Sequence, residues 1–323
     1  MIQSVAPTPS FTASRLPAGL RGRVLFNEPM SKHTTWRVGG PADVFFSPED
    51  KQDLSWFLRC MDGVMPIMWL GLGSNLLVRD GGIRTAVIET HGALDDLQRL
   101  GETEVWCDAG VPCAKLAKQC AKWNLGPAEF FAGIPGTLGG ALAMNAGAFG
   151  GETWRHVVEV ETIDRRGEVH RRKASDYQIA YRHVSGPRNE WFLGAQLSFA
   201  TRGDSLETGE AEIRALLKRR KETQPIGEPS CGSVFTNPPG HHAAKLIEGA
   251  GLKGHRIGGA VVSTKHANFI INEGNATAAD IEQLIHHVKA VVLEKYQVDL
   301  QPEVRVVGED AEGDASLSKE ELS

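Results

Sequence analysis

At 323 residues, 41% hydrophobic and 23% charged, the chain has the composition of a globular protein able to bury one large core or two to three smaller ones. Its net charge of −5 resides in residues 309–323, where six acidic side chains face a single Lys319, so the rest is balanced. No positive excess is left to neutralise a phosphate backbone, and no apolar run approaches the ~18 residues of a membrane span, which argues against nucleic-acid and membrane-spanning roles.

Residues 1–19 lack the unbroken apolar centre of a secretory signal and read as a flexible arm. The five cysteines form no CxxC pair and no Cys/His cluster at zinc spacing, so a cytoplasmic protein with reduced thiols and no metal site is expected. Ser47-Pro48-Glu49-Asp50 opens a helix, with Ser47 as cap, Pro48 in the first turn and the acids at the positive end. Leu54, Phe57, Leu58 and Met61 form its buried side. Strands follow over 66–70, 85–89 and 104–108. A helix over 111–124 stops before Gly126-Pro127 and turns Cys113, Leu116, Cys120 and Trp123 toward a core.

Further strands fit 157–164, 168–172 and 191–200. The polar, apolar-poor stretch 201–209 marks a boundary between a first domain, 20–203, and a second, 210–308. The second opens on a basic helix over 210–221 with Ile213, Leu216 and Leu217 on one side. A loop rich in proline and glycine follows over 225–240, then strands near 257–263 and 268–272. Thr277 and Asp280 form a capping box before a helix that buries Ile281, Leu284, Ile285, Val288 and Val292. His286 and His287 fall on its solvated side. Residues 309–323 read as a disordered acidic tail. The absence of any 20–50-residue period excludes solenoids and propellers, and the mixed elements define an α+β protein.

Three glycine-rich segments carry the chemical signal. They are TWRVGGPAD from Thr35, GLGSNLLV from Gly71 and GIPGTLGGALAMNAGAFG from Gly133. Glycine lets the backbone approach a ligand, and successive N–H groups form concavities that hold anions. Three such loops suggest one elongated, phosphate-bearing ligand. Gly71 and Gly73 are followed by Leu76 where a Rossmann fingerprint needs its third glycine, and no GxxxxGK[ST] loop exists, so neither standard nucleotide motif applies.

These segments resemble the FAD-binding segments of the UDP-N-acetylenolpyruvoylglucosamine reductase family, within the wider vanillyl-alcohol oxidase and p-cresol methylhydroxylase type of flavin-binding fold. The similarity continues through Tyr181-Arg182, GSVFTNP from Gly232, KLI from Lys245, GHRIGG from Gly254, STKHANF from Ser263 and EVR from Glu303, over about 27–308. It implies a two-part FAD-binding domain followed by a smaller α+β substrate domain. Non-covalent FAD, with NADPH as co-substrate, is implied to contact Trp36, Arg37, Val38, Gly39, Gly71, Gly73, Ser74, Asn75, Leu76, Gly133, Pro135, Gly136, Gly139, Gly140, Asn145 and Gly147. The chain is similar to the shorter form of the family: no tyrosine lies between Arg182 and Trp191, so no lid tyrosine carries over.

The implied reaction reduces the enolpyruvyl ether of UDP-N-acetylglucosamine enolpyruvate to UDP-N-acetylmuramate, a peptidoglycan precursor, in a monomer. Hydride delivery places negative charge on the carbon bearing the carboxylate, and that carbon then needs a proton. The resemblance assigns Arg182 to the carboxylate, Glu303 to charge control and Ser233 to proton donation. Singly, each has an ordinary reading as an ion-pair, solvated-strand or turn residue. Lys221 and Asn237 are implied substrate contacts, although Lys221 also fits a solvated basic face with Lys218, Arg219 and Arg220. Cys231 is read as a small loop residue, not a nucleophile. Two other classes stay open on the sequence: an oxidase sharing only the N-terminal loops, and a non-catalytic flavin- or nucleotide-binding module.

Overall fold

The computed structural model describes residues 19–203 and 206–311. Residues 1–18 of the expected arm and 312–323 of the expected tail lie outside the described residues. The first lobe comprises β1 (Arg23–Pro29), β2 (Pro41–Ser47), α1 (Lys51–Met61), β3 (Ile67–Leu70), β4 (Leu76–Val78) and β5 (Ile83–Glu89). Its sheet has the order β1-β2-β5-β3, with β2 and β3 both parallel to β5 and β1 antiparallel to β2. β4 stands outside this sheet.

Helix α1 starts later than the sequence suggests. Pairing of Ser47 with Arg23 extends β2 through the expected cap, and the Ser47 hydroxyl donates to Glu89 instead (2.7 Å). Asp50 is the cap, accepting from the Asp53 amide at 2.8 Å. Leu54, Phe57, Leu58 and Met61 are fully buried as expected, in a cluster that also holds Ile163 and Leu193. Those two residues belong to the next sheet, so α1 is the filling between the lobes. Polar ties fix its N-terminal half there, from Lys51 to Glu161 (2.8 Å) and from Ser55 to the Gly167 carbonyl (2.7 Å).

The second lobe contains β6 (Leu97–Arg99), β7 (Glu104–Asp108), α2 (Cys113–Lys122), β8 (Leu125–Gly126), α3 (Leu138–Met144), β9 (Gly147–Ala148), β10 (Gly151–Glu152), β11 (Val157–Asp164), β12 (Val169–Lys173), β13 (Gln178–Ala180), β14 (His183–Ser185), β15 (Glu190–Ser198) and β16 (Ala200–Thr201). The sheet order is β12-β11-β15-β7-β6, antiparallel throughout. Cys113, Leu116 and Cys120 are buried beneath it beside Cys107. Burial pushes the Cys113 and Cys120 thiols up to about 12, which keeps both protonated and inert.

The stretch read as a boundary contributes to a helix. α4 (Leu206–Thr223) begins inside it and carries Ile213 into the core of the second lobe, against α2 and the short turn over 129–133. The C-terminal part then consists of α5 (Ala243–Gly249), β17 (Arg256–Ile257), β18 (Ala260–Val262), β19 (Ile270–Asn272), α6 (Ala278–Tyr296) and β20 (Arg305–Val307). The strand expected over 257–263 is a hairpin, because the chain reverses at Gly258, whose φ of +51° and contact with Asp280 leave no room for a side chain. The capping box of Thr277 and Asp280 is present, and Ile281, Leu284, Ile285, Val288 and Val292 are all buried.

Two connections weld this part to the first lobe. β20 runs parallel to β4, pairing Arg305 with Leu76 and Val307 with Val78. The loop beyond β4 docks on α6: Arg79 forms a two-pronged pair with buried Glu282 (2.7 and 2.9 Å), and the Asp80 carboxylate accepts from the Ala278 and Ala279 amides, both at 3.0 Å. The first tail residues join the weld, since the Glu309 amide donates to Gly82 at 2.9 Å and Asp310 approaches Arg79. α6 thus has an N-cap from its own Thr277 and a second from a distant lobe. Replacing a capping carboxylate typically costs about 0.5–2 kcal/mol. Asp80→Ala should therefore lower the denaturant midpoint at least as much as Thr277→Ala, measured by urea unfolding of the same preparation.

Candidate functional site

Two of the glycine loops face each other. A side chain at Gly71 would strike the Thr137 hydroxyl at 2.5 Å, and one at Gly136 would meet the Ser74 hydroxyl at 3.3 Å. Between them, backbone donors are left over. The N–H groups of residues 71–75, and those of Gly136, Thr137 and Gly140, find no protein acceptor among the described residues. The Thr137 hydroxyl is buried and likewise without a partner. Such groups are costly unless something else satisfies them. A β-carbon at Gly140 would meet nothing nearer than that same hydroxyl, 4.0 Å away, so this side of the loop is open. The arrangement is a cradle of unpaired donors suited to an elongated anionic ligand.

The remaining glycines and their neighbours divide by what surrounds them. Gly73 lies on the His33 carbonyl, Gly39 on Val78, Gly133 on Phe149, Gly139 on Ala109 and Gly147 on the Gly151 carbonyl, so close packing of the chain itself requires them. Trp36 has its side chain engaged by the protein itself. Its indole is fully buried in the C-terminal core and donates to the Ile270 carbonyl (2.8 Å), which leaves only its backbone for a ligand. Val38 is buried in the same core, while Arg37 is exposed with φ +60°. Leu76 is a buried member of β4, and Pro135 is exposed beside the cradle.

Asn145 is also engaged by the protein. Its side chain accepts from the Trp154 amide (3.1 Å) and donates to the Ala180 carbonyl (3.2 Å). That second bond holds the hairpin of β13 and β14, whose two-residue turn is Tyr181-Arg182. Arg182 takes φ +55°, a conformation that non-glycine residues rarely adopt and that marks a constrained position. Its guanidinium donates to the Gly147 carbonyl (2.9 Å) and the Asn145 carbonyl (3.4 Å). The half-exposed ring of Tyr181 covers the guanidinium at 5.3 Å.

Arg182 Nε lies 3.1 Å from Glu303 Oε1, close enough for an ion pair but too poorly aimed for a hydrogen bond, so this buried N–H has no partner. Burial pushes the Glu303 carboxyl above its ordinary value, and the guanidinium only partly offsets this. Glu303 is attached to both halves of the site. Its carbonyl accepts from the Asn75 side chain of the second glycine loop (3.0 Å), and its amide donates to the Val234 carbonyl (2.7 Å). Ser233 precedes Val234 and is half-buried. The structure thus brings Arg182, Glu303, Asn75 and the Ser233 segment to one seam, although they span more than two hundred positions of sequence.

The other expected residues are placed less centrally. Lys221 is exposed at the end of α4, where its carbonyl accepts from Lys265. Asn237 is exposed and its side-chain oxygen accepts from the Ala243 amide (3.0 Å) at the start of α5, leaving its NH₂ for a ligand. Cys231 is buried, and burial with nearby Glu303 raises its thiol well above its ordinary value, which removes it as a nucleophile. Two residues were not picked out from sequence. Thr137 and Tyr181 both lie inside the quoted motifs, but an orphaned hydroxyl and a ring over a guanidinium are facts of spatial arrangement.

The class of the protein is that of the FAD-dependent oxidoreductases, as comparison with known proteins shows. Residues 42–173 match the family described as FAD binding domain, and residues 224–307 match the UDP-N-acetylenolpyruvoylglucosamine reductase, C-terminal domain. The chain is 57% identical to the UDP-N-acetylenolpyruvoylglucosamine reductase of Alkalilimnicola ehrlichii over 87% of its length and 94% of the relative's. It is 54% identical to that of Methylococcus capsulatus, over 92% and 97%. Its structure is similar to the crystal structure of the reductase from Thermus caldophilus, with a TM-score of 0.75, 32% identity and coverage of 88% and 98%. The chain belongs to the UDP-N-acetylenolpyruvoylglucosamine reductase family. The C-terminal match disfavours an oxidase sharing only the N-terminal loops.

FAD fits the cradle on the structure's own terms, since its pyrophosphate would satisfy the unpaired amides and the Thr137 hydroxyl. Thr137→Val keeps the shape and deletes the hydroxyl. A hydrogen bond to a charged group is worth roughly 1.5–3 kcal/mol, so FAD affinity measured by titration of the apoprotein should fall at least about tenfold. For Glu303 the sign of the pH effect follows from its raised folded value. The folded state holds the proton more tightly than the unfolded chain, so this group's contribution falls as pH climbs from the ordinary glutamate value of 4.5 through the raised folded one. Glu303→Gln should flatten the decline of Tm over that window in pH-dependent thermal melts.

Proposed function

We infer that the protein is an NADPH-dependent reductase that converts UDP-N-acetylglucosamine enolpyruvate to UDP-N-acetylmuramate in peptidoglycan precursor synthesis. Bound FAD supplies the hydride route from NADPH to the substrate. The observation that carries the reading is the seam where the Arg182 and Glu303 pair meets the segment following Ser233. The guanidinium retains an unpartnered Nε–H and further N–H donors for a carboxylate, and its permanent charge offsets the anion that develops beside it. Glu303, held partly toward its neutral form by burial, stands next to that anion with less repulsion than an ordinary carboxylate would bring. Ser233 donates the proton that completes the saturated product.

In this reading Lys221 and Asn237 contact substrate from the rim, and the unpaired amides of the cradle, with Ser74 and Asn75, hold FAD. Residues 20–203 carry the cofactor and residues 210–308 complete the substrate site, with α4 packed on the first part. The enzyme works as a monomer in the cytoplasm, a compartment consistent with five free cysteines. No helix among the described residues is long and apolar enough to cross a membrane.

The test is to mix flavin-loaded protein with NADPH and UDP-N-acetylglucosamine enolpyruvate and to follow NADPH loss and product by mass. Enolpyruvate-dependent NADPH consumption is expected, and its absence overturns the reading. Ser233→Ala should leave flavin content and bleaching by NADPH near the parent while product formation falls by about 10²–10⁴. Turnover within a few-fold of the parent would remove Ser233 as donor.

A further inference from the structure

Ser233 needs precise placement, because a serine hydroxyl is a weak acid and a displacement of about 1 Å at a reacting centre can cost on the order of 10²-fold. Its own hydroxyl makes no hydrogen bond among the described residues, and the residue before it is Gly232, with φ +85° and open space where a β-carbon would stand. Restraint therefore comes from the residues that follow. On one edge of this short segment the Val234 carbonyl accepts from the Glu303 amide (2.7 Å), and the Thr236 amide donates to the Gln301 carbonyl (3.0 Å).

The opposite edge belongs to a single residue. The Asn268 carbonyl accepts from the Val234 amide (2.9 Å). Its side-chain oxygen accepts from the Phe235 amide (3.0 Å), and its side-chain NH₂ donates to the Phe235 carbonyl (2.8 Å). The amide thus imitates the missing neighbour of a strand, giving Phe235 both an acceptor and a donor. Phe235 is 2% and Asn268 4% exposed, so neither can exchange these bonds for water.

We propose that Asn268 is a positioning residue for proton transfer, setting the register of Ser233 against Glu303 by clamping the extended Val234-Phe235 segment from the side opposite Glu303. The proposal rests on Ser233 being the donor. Asparagine suits this place because the task needs one donor and one acceptor on a planar group. Aspartate keeps the acceptor at the Phe235 amide but turns a second oxygen toward the Phe235 carbonyl. Asn268 is buried with its polar groups turned to Val234 and Phe235, so it acts through Ser233 and not by touching substrate.

The test uses flavin-loaded full-length Asn268→Asp, Asn268→Ala and Ser233→Ala, and both double variants. Flavin content and bleaching by NADPH alone should stay within about threefold of the parent in the Asn268 single variants, while product formation falls about 10–100-fold. In the Ser233→Ala background the same Asn268 substitutions should slow product formation by less than about twofold, because an effect that runs through the donor is lost with it. Losses that simply add, equal slowing of bleaching and product formation, or loss of flavin in both Asn268 variants would each overturn the proposal and leave Asn268 a residue of the fold. Asn268 variants at the parent rate beside an inactive Ser233→Ala would sink this proposal alone. An active Ser233→Ala would sink the donor reading and this proposal with it.

Discussion

The pairing of β4 with β20 is the constraint on which the site depends. It is only three residues long, yet it joins the glycine loop ending at Asn75 to the strand beginning after Glu303. Every group with a chemical role is placed relative to this rung. Asn75 holds the Glu303 carbonyl, the Glu303 amide holds the Ser233 segment, and the Glu303 carboxyl lies against Arg182. Arg79, Asp80 and Trp36 keep the rung from shearing by docking the first lobe on α6 and β19. Buried backbone pairing and a buried ion pair are both intolerant of slippage, because each loses its partner outright when it moves.

Burial gives the same residues their chemical character. An exposed pair of Arg182 and Glu303 would be a minor surface ion pair with two ordinary charges. Here burial pushes the carboxyl above its ordinary value, and the neighbouring guanidinium offsets this only in part. The positive φ of Arg182 and the carbonyls of Asn145 and Gly147 hold that side chain before any ligand arrives. Ser233 differs, since the segment after it is held by its neighbours while its own hydroxyl makes no hydrogen bond among the described residues.

The glycine loops show why motif membership and ligand contact are different properties. Gly73, Gly133, Gly139 and Gly147 are glycine because another part of the chain occupies the space of a side chain, while Gly140 borders open space beside unpaired donors. Asn145 and Trp36 belong to the same motifs and support the cradle from behind, one holding the Arg182 hairpin and the other anchoring the C-terminal core. A string of residues records both kinds of requirement without distinguishing them.

Periodic apolar positions were enough to place α1, α2 and α6 and to name their buried faces, because burial of a helix face repeats with the pitch of the helix and needs no knowledge of the partner. The motifs were enough to select the flavin and the reaction family, and they pointed to Arg182, Ser233 and Glu303, whose segments the fold brings to one seam. Tertiary structure decided what depends on neighbours distant in sequence. The Ser47 cap yielded to Asp50 because β2 found a partner in β1, and the presumed linker became part of α4 because Ile213 found a core to enter. The placement of the orphaned Thr137 hydroxyl beside Gly71 and the Asn268 clamp on Phe235 are relations between segments tens of residues apart. Local sequence sets the propensity of each segment, but unsatisfied donors and raised acidities arise only when segments meet and exclude water.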